Sequence, residues 1–265
     1  MRNIPEYTEC GKGKPVIMIP GLEGAKEFWK YQLEEFGEKY RVVACSHVKK
    51  NPRFEASVSD YALDIIALMD FLKIEKAAVI GESFGGMITQ EIAINHKSRV
   101  SAIVLCNTTD NFFRYNSYFG FNMYTIASIF HSVAFLLPKR SMQKALLNWV
   151  GKNRGFVMDP SKGNDDLAEY ILDYALSPGF YGYLDRIIAG LKGNYNSQLS
   201  TINIPALILR GVEDRFIHTD TILELAGRIK GAQIALIDEG GHCCQYTKPS
   251  ETNKAILEWF ERIGY

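Results

Sequence analysis

The chain has 265 residues, 47% of them hydrophobic and 23% charged, which is ample for a large buried core in one domain or two. Its 30 basic and 30 acidic residues cancel to a formal net charge of zero, and no run of like charge stands out beyond the pair Lys49 and Lys50. This balance excludes the basic face that nucleic acid or an anionic membrane surface would call for.

The five cysteines, Cys10, Cys45, Cys106, Cys243 and Cys244, are odd in number and match no zinc spacing. Cys45 and Cys106 lie in apolar runs, where a thiol behaves as a small hydrophobe. The first residues, Met1 to Glu6, lack the apolar stretch of a signal peptide. A reduced, cytoplasmic protein is therefore expected.

Short β-branched runs alternate with longer helical patterns, which predicts a mostly parallel sheet covered by helices. The first well-marked strand, 16–19, runs into the loop Pro20-Gly21-Leu22-Glu23-Gly24. A second strand is expected over 41–45, with His47 in the loop that follows. After Ser59 and Asp60 as capping residues, Tyr61, Leu63, Ile65, Ile66, Leu68, Met69 and Leu72 form the apolar stripe of a helix.

The third strand, 77–80, leads into Gly81-Glu82-Ser83-Phe84-Gly85-Gly86, and a helical run begins at Met87. Gly-x-Ser-x-Gly between a strand and a helix puts the serine on a sharp turn at a helix N-terminus. Developing negative charge is favoured there. Gly81 and Gly85 keep side-chain bulk away from a tightly folded backbone. Ser83 is thus the candidate nucleophile.

A fourth strand is expected over 102–106, and then the alternation stops. Residues 110–200 hold four helical patterns, 116–137, 141–150, 165–176 and 179–191, punctuated by Pro138, Gly151, Gly155, Pro160 and Pro178. This reads as a helical cap (110–200) inserted into a core domain made of 1–109 and 201–265. Within it, 126–137 is apolar but too short to span a bilayer, which takes roughly 20 residues. No integral membrane segment is expected. Phe112, Phe113, Tyr115, Tyr118, Phe119, Phe121, Tyr124, Phe130 and Phe135 make the block aromatic, which favours a small hydrophobic substrate.

The alternation resumes with strands over 206–209 and 233–237, a helix bearing Ile222, Leu225 and Ile229 between them, and a last helix opened by Pro249 and carrying Ile256, Trp259 and Phe260. A serine needs a histidine to take its proton, and the histidine needs a carboxylate to hold its tautomer. Five histidines compete: His47, His96, His131, His218 and His242. His242 is preferred, because Asp238-Glu-Gly-Gly-His242 directly follows the last strand and reaches the same sheet edge as Ser83. Asp214 follows strand 206–209 in the same way and is the preferred acid. Asp110, also beyond a strand end, is its rival, and Glu213 is a weaker candidate. The order Ser83, Asp214, His242 is a known order for such a triad.

An acyl-transfer intermediate also needs two backbone donors for its oxyanion. Phe84 N–H should supply one, and Leu22 N–H in the first loop the other. With Pro20-Gly21-Leu22, Gly81-Glu-Ser-Phe-Gly-Gly86, Gly211-Val-Glu-Asp214 and Gly240-Gly-His242 in place, the chain resembles the α/β-hydrolase superfamily over nearly its whole length. The group it resembles most contains small capped esterases, lactonases and carbon–carbon bond hydrolases. The resemblance implies the α/β-hydrolase fold and two-step acyl transfer to water, with no cofactor. Two departures stand out. Most relatives carry His-Gly where this chain has Pro20-Gly21, and Asp-x-Arg-Gly-x-Gly where it reads Ser46-His-Val-Lys-Lys-Asn. Three functions stay open: an ester or lactone hydrolase, a carbon–carbon bond hydrolase or hydroxynitrile-lyase-type enzyme, and a small-molecule receptor on the same scaffold.

Overall fold

The structure, a computed structural model, describes residues 3–48, 50, 56–112, 141 and 180–265. Among these, seven strands form one sheet: β1 (Tyr7–Cys10), β2 (Pro15–Ile19), β3 (Arg41–Cys45), β4 (Ala77–Glu82), β5 (Val100–Cys106), β6 (Ala206–Gly211) and β7 (Gln233–Ile237). Their order is β1-β3-β2-β4-β5-β6-β7. Only β1 runs antiparallel to its neighbour, β3; every other pair is parallel. The six strands expected from apolar runs are all present. The seventh, β1, reads Tyr-Thr-Glu-Cys and has no apolar run, because an edge strand buries little on either face.

The sheet is covered on both sides. One face carries Ile17, Val43, Val79, Ile103, Leu105 and Ile208, packed with Tyr61, Ile65 and Leu68 of α2 (Val58–Phe71) and Ile88 and Ile92 of α3 (Phe84–Asn95). The alternate residues Val16, Met18, Val42, Ile80, Val104, Leu207 and Leu209 face the other way. They meet Trp29, Phe36 of α1 (Lys30–Phe36), and Trp259 and Phe260 of the C-terminal helix Pro249–Arg262. The period-two split explains why the inner strands are almost continuously apolar. Trp29 and Trp259 are fully buried, so truncating either to alanine would cost about 3–5 kcal/mol.

Helix α2 begins earlier than its apolar stripe suggests. Ser57 is the N-cap: its hydroxyl accepts from Asp60 N–H, and the Asp60 carboxylate accepts from Ser57 N–H. Asp60 thus closes a capping box, with Ser59 inside the first turn rather than capping it.

Of the four helical patterns expected in 110–200, those at 116–137 and 165–176 fall outside the described residues, as does all of 141–150 except Ser141. The fourth is α4 (Phe180–Lys192), which lies against α2 and α3, buries Leu184, Ile188 and Ala189, and joins their core through Ala189. Helix α5 (Thr219–Arg228), the four-residue α6 (Cys244–Thr247) and α7 (Pro249–Arg262) complete the described chain. No helix among the described residues is long and apolar enough to cross a membrane. All six strands of the parallel set end at one sheet edge, so the segments after Ile19, Cys45, Glu82, Cys106, Gly211 and Ile237 converge there. In an open α/β sheet that edge is where ligands bind.

Candidate functional site

Ser83 is the single residue between β4 and α3. Its backbone has φ 51° and ψ −115°, a left-handed conformation that a non-glycine residue holds only under constraint. The constraint is visible. Ser83 N–H donates to Cys106 O at 2.9 Å, and Ser83 O accepts from Thr108 Oγ1 at 2.6 Å and from Gly86 N at 3.0 Å. A Cβ on Gly85 would lie 2.6 Å from Pro20 O and closer still to Ile19 O, and one on Gly81 would collide with Gly85 O. Glycine at both positions is what lets the turn fit against the β2 loop.

His242 is buried at the same edge. Its Nε2 lies 3.0 Å from Ser83 Oγ and its Nδ1 lies 2.9 Å from Asp214 Oδ2. An ionised carboxylate can only accept, so Nδ1 carries a proton and Nε2 of the neutral ring is left to accept from the Ser83 hydroxyl. The other carboxylate oxygen, Asp214 Oδ1, accepts from Phe216 N–H at 2.7 Å and Ile217 N–H at 3.0 Å. Burial works to lower the His242 pKa, but the Asp214 charge and hydrogen bond, helped by Glu23, raise it overall above its ordinary value.

The loop that carries Asp214 is itself pinned. Buried Arg210 donates to the carbonyls of Ile217, Val212 and Asp214, and Glu213 N–H donates to Gly240 O at 2.8 Å, tying the acid loop to the histidine loop. Asn107, with φ 43°, ties in β5: its Oδ1 accepts from Gly211 N–H and its Nδ2 donates to His242 O at 2.7 Å.

Asp110 is engaged elsewhere. Its Oδ2 pairs with Arg228 at 3.1 Å, its Oδ1 accepts from Thr109 Oγ1, and its carbonyl accepts from Tyr195 N–H. Glu213 is exposed. Among the other histidines, His96 caps the C-terminus of α3, His218 caps the N-terminus of α5, and His131 lies outside the described residues. Phe84 is the first residue of α3, so its N–H is free of the helical ladder. Leu22 lies in the β2 loop, whose Gly21 comes so close to Ser83 that an added Cβ would stand 3.1 Å from the Ser83 Cβ.

Several polar residues at this edge were not singled out by the motifs. Glu82 is almost fully buried: its Oε1 is 3.5 Å from His242 Nε2, and among the described residues its Oε2 has no hydrogen-bond partner. Glu23 accepts from Gly21 N–H at 2.8 Å, and a Cβ on Gly21 would touch both carboxyls. Burial, then the charges of Glu23 and Asp214, push the Glu82 carboxyl well above the usual carboxylate range. Arg186 of α4 reaches the loop and donates to Leu22 O at 2.6 Å. An acid beside the serine of the motif was the available signal for Glu82, and Glu23 lies in the quoted loop itself; Arg186 had none, since its proximity is tertiary. Burial and neighbouring carboxylates also raise both thiols after the histidine, Cys244 to about 12, so neither is a reactive thiolate. No group of three or more His, Cys, Asp or Glu among the described residues is placed to hold a metal ion.

The fold and this edge define a hydrolase-type scaffold, and sequence comparison agrees. The profile of the α/β-hydrolase fold matches residues 14–249, so the chain belongs to the α/β-hydrolase family. Among its relatives is RutD of Azorhizobium caulinodans, named a carbamate hydrolase, 24% identical over 95% of this chain and 92% of that one. A 2-hydroxymuconate semialdehyde hydrolase of Pseudomonas sp. strain CF600 is 26% identical over 89% and 83% of the two chains. The enol-lactonase of Burkholderia xenovorans LB400 superposes with a TM-score of 0.78 over 97% and 96%, at 18% identity. At that identity the superposition speaks for the fold alone.

Proposed function

We propose that the chain is a serine hydrolase that works through an acyl-enzyme, with Ser83 as nucleophile, His242 as general base and acid, and Asp214 as the group that holds the histidine's tautomer. The observation that carries this reading is the continuous hydrogen-bond path from Ser83 Oγ through His242 to Asp214. Ser83 Oγ attacks the substrate carbonyl while His242 Nε2 takes its proton. The oxyanion of the tetrahedral intermediate is held by the N–H groups of Leu22 and Phe84. His242 returns the proton to the leaving alcohol as the carbon–oxygen bond breaks. A water then attacks the acyl-enzyme, gives its proton to His242, and releases the acid as Ser83 regains its hydrogen.

The substrate class favoured is a carboxylic ester or lactone of a hydrophobic small molecule, because the aromatic stretch 112–135 falls in the segment read as a cap over this edge. A second reading, carbon–carbon bond hydrolysis by the same residues, is supported by the likeness to the 2-hydroxymuconate semialdehyde hydrolase. A cytoplasmic location remains part of the proposal.

The test is hydrolysis of p-nitrophenyl esters from acetate to long acyl chains, beside Ser83→Ala. Turnover that vanishes in the variant is expected, and the best acyl length sizes the pocket. No ester turnover, but Ser83-dependent cleavage of a vinylogous 1,5-diketone, would favour the second reading. Turnover that survives Ser83→Ala would overturn both.

A further inference from the structure

His47, two residues beyond β3, stands in a segment that looks like an ordinary solvated loop. In the fold its ring is wedged edge-on between Tyr61 and Phe84, with centroids 5.3 Å and 5.5 Å away. Its Nε2 lies 2.9 Å from Pro20 O and 3.0 Å from Gly21 O. Carbonyl oxygens only accept, so Nε2 must carry the proton and share it between the two. The His47 backbone N–H adds a third bond, to Gly24 O at 2.9 Å. Burial above all, with the nearby charges of Arg186 and Lys50, pushes the ring's pKa down to about 3, so it is neutral at any ordinary pH.

The Gly21 carbonyl and the Leu22 N–H belong to one planar trans peptide and point in opposite directions. Whatever grips Gly21 O therefore sets where Leu22 N–H points. Among the described residues, a longer turn bond from Gly24 N, 3.2 Å, is the other bond on that oxygen. Pro20 has no N–H and no polar side chain with which to brace the loop itself. Arg186 holds the next carbonyl, Leu22 O, from outside.

We propose that His47 is a positioning residue: by hydrogen-bonding the Pro20 and Gly21 carbonyls it aims the Leu22 N–H at the oxyanion formed on Ser83's substrate. This rests on the serine-hydrolase reading above and deepens it. His47 touches no reacting atom; it acts through one peptide plane, and its effect belongs to the transition state.

The experiment compares His47→Leu, which keeps apolar bulk against Tyr61 and Phe84 but donates nothing, with His47→Gln, whose amide can restore one bond. Three readouts are taken on each: kcat and KM on the best p-nitrophenyl ester, affinity for an alkyl boronic acid that forms a tetrahedral adduct on serine, and thermal melting. For His47→Leu, kcat should fall about 10- to 100-fold. Complete loss of an oxyanion donor costs about 10²- to 10³-fold, and here the donor is misaimed rather than removed. KM should stay within about threefold, and boronate affinity should fall in step with kcat/KM. His47→Gln should recover kcat to within about fivefold of wild type. A folded His47→Leu with wild-type kcat and boronate affinity would overturn the proposal. So would equal losses in the Leu and Gln variants, or a loss carried by KM alone. If the wild type neither turns over esters nor reacts with a fluorophosphonate at Ser83, the reading beneath the proposal fails and the proposal falls with it.

Discussion

Replacing Asp214 by asparagine changes one atom in the heart of the site, and the structure dictates how the amide must sit. Asp214 Oδ1 accepts two backbone N–H groups, from Phe216 at 2.7 Å and Ile217 at 3.0 Å, in a residue only 3% exposed. Turning the amide NH2 toward them would strand two buried donors, at about 1–3 kcal/mol each. The asparagine carbonyl therefore keeps those bonds, and its NH2 faces His242 Nδ1. That nitrogen must now accept, which moves the ring proton to Nε2, where it faces Ser83 Oγ instead of receiving its hydrogen. A base in the wrong tautomer costs about 10⁴-fold in kcat, close to 5.4 kcal/mol at 1.36 kcal/mol per decade. The pH profile should move too. In the proposed mechanism neutral His242 is the working form, so wild-type kcat/KM should rise as pH passes the raised pKa of the histidine. Without the Asp214 charge, burial lowers that pKa against the weaker pull of Glu23 alone, and the rising limb shifts to lower pH. Asp110→Asn is the control: its partner is Arg228, one-third exposed, so the change should cost about 1 kcal/mol of stability and leave kcat within about threefold. Steady-state ester kinetics on both variants decide the matter. An Asp214→Asn enzyme keeping more than about a tenth of wild-type kcat, or an Asp110→Asn enzyme losing more than tenfold, would refute the assignment.

Glu82→Gln tests the buried acid. The folded pKa of Glu82 lies above its unfolded value near 4.5, so its contribution is intact below that pH and is lost as pH rises through the folded pKa. The glutamine variant should melt like wild type near pH 4.5 and at a higher temperature than wild type at pH 9, with kcat at pH 7 within about threefold; parallel melting curves at all pH values would contradict a raised pKa. Gly85→Ala drives a methyl into the carbonyls of Ile19 and Pro20, which are backbone and cannot swing away. It should cost about 1–3 kcal/mol in denaturant unfolding and lower kcat about 100-fold by displacing the Leu22 loop, whereas near-normal activity would mean the loop has room to spare.

Much of this was legible along the chain because it is local. The inner strands announce themselves by apolar runs, since both sheet faces are covered. Gly81, Ser83 and Gly85 announce a strand–turn–helix because only that residue set tolerates the turn's φ of 51° and the crowding around it. The order Ser83, Asp214, His242 follows from which strands they terminate. Other features needed the tertiary structure. β1 is an edge strand with no apolar signature, and Ser57 became the cap of α2 because Val58 is drawn into the core. Asp214 and Asp110 each follow a strand, and along the chain only the shorter spacing to its strand favours Asp214. Three-dimensional packing does, by setting one against His242 and the other against Arg228, 118 residues away. His47 and Arg186 likewise have nothing in their own neighbourhood to mark them. His47 and Arg186 reach the carbonyls of residues 20–22 from other parts of the chain, and Glu23, though local to Gly21, meets Glu82 only through the fold. Strand ends are fixed by local sequence, whereas hydrogen bonds between the loops beyond them exist only once the sheet has brought those loops to a common edge.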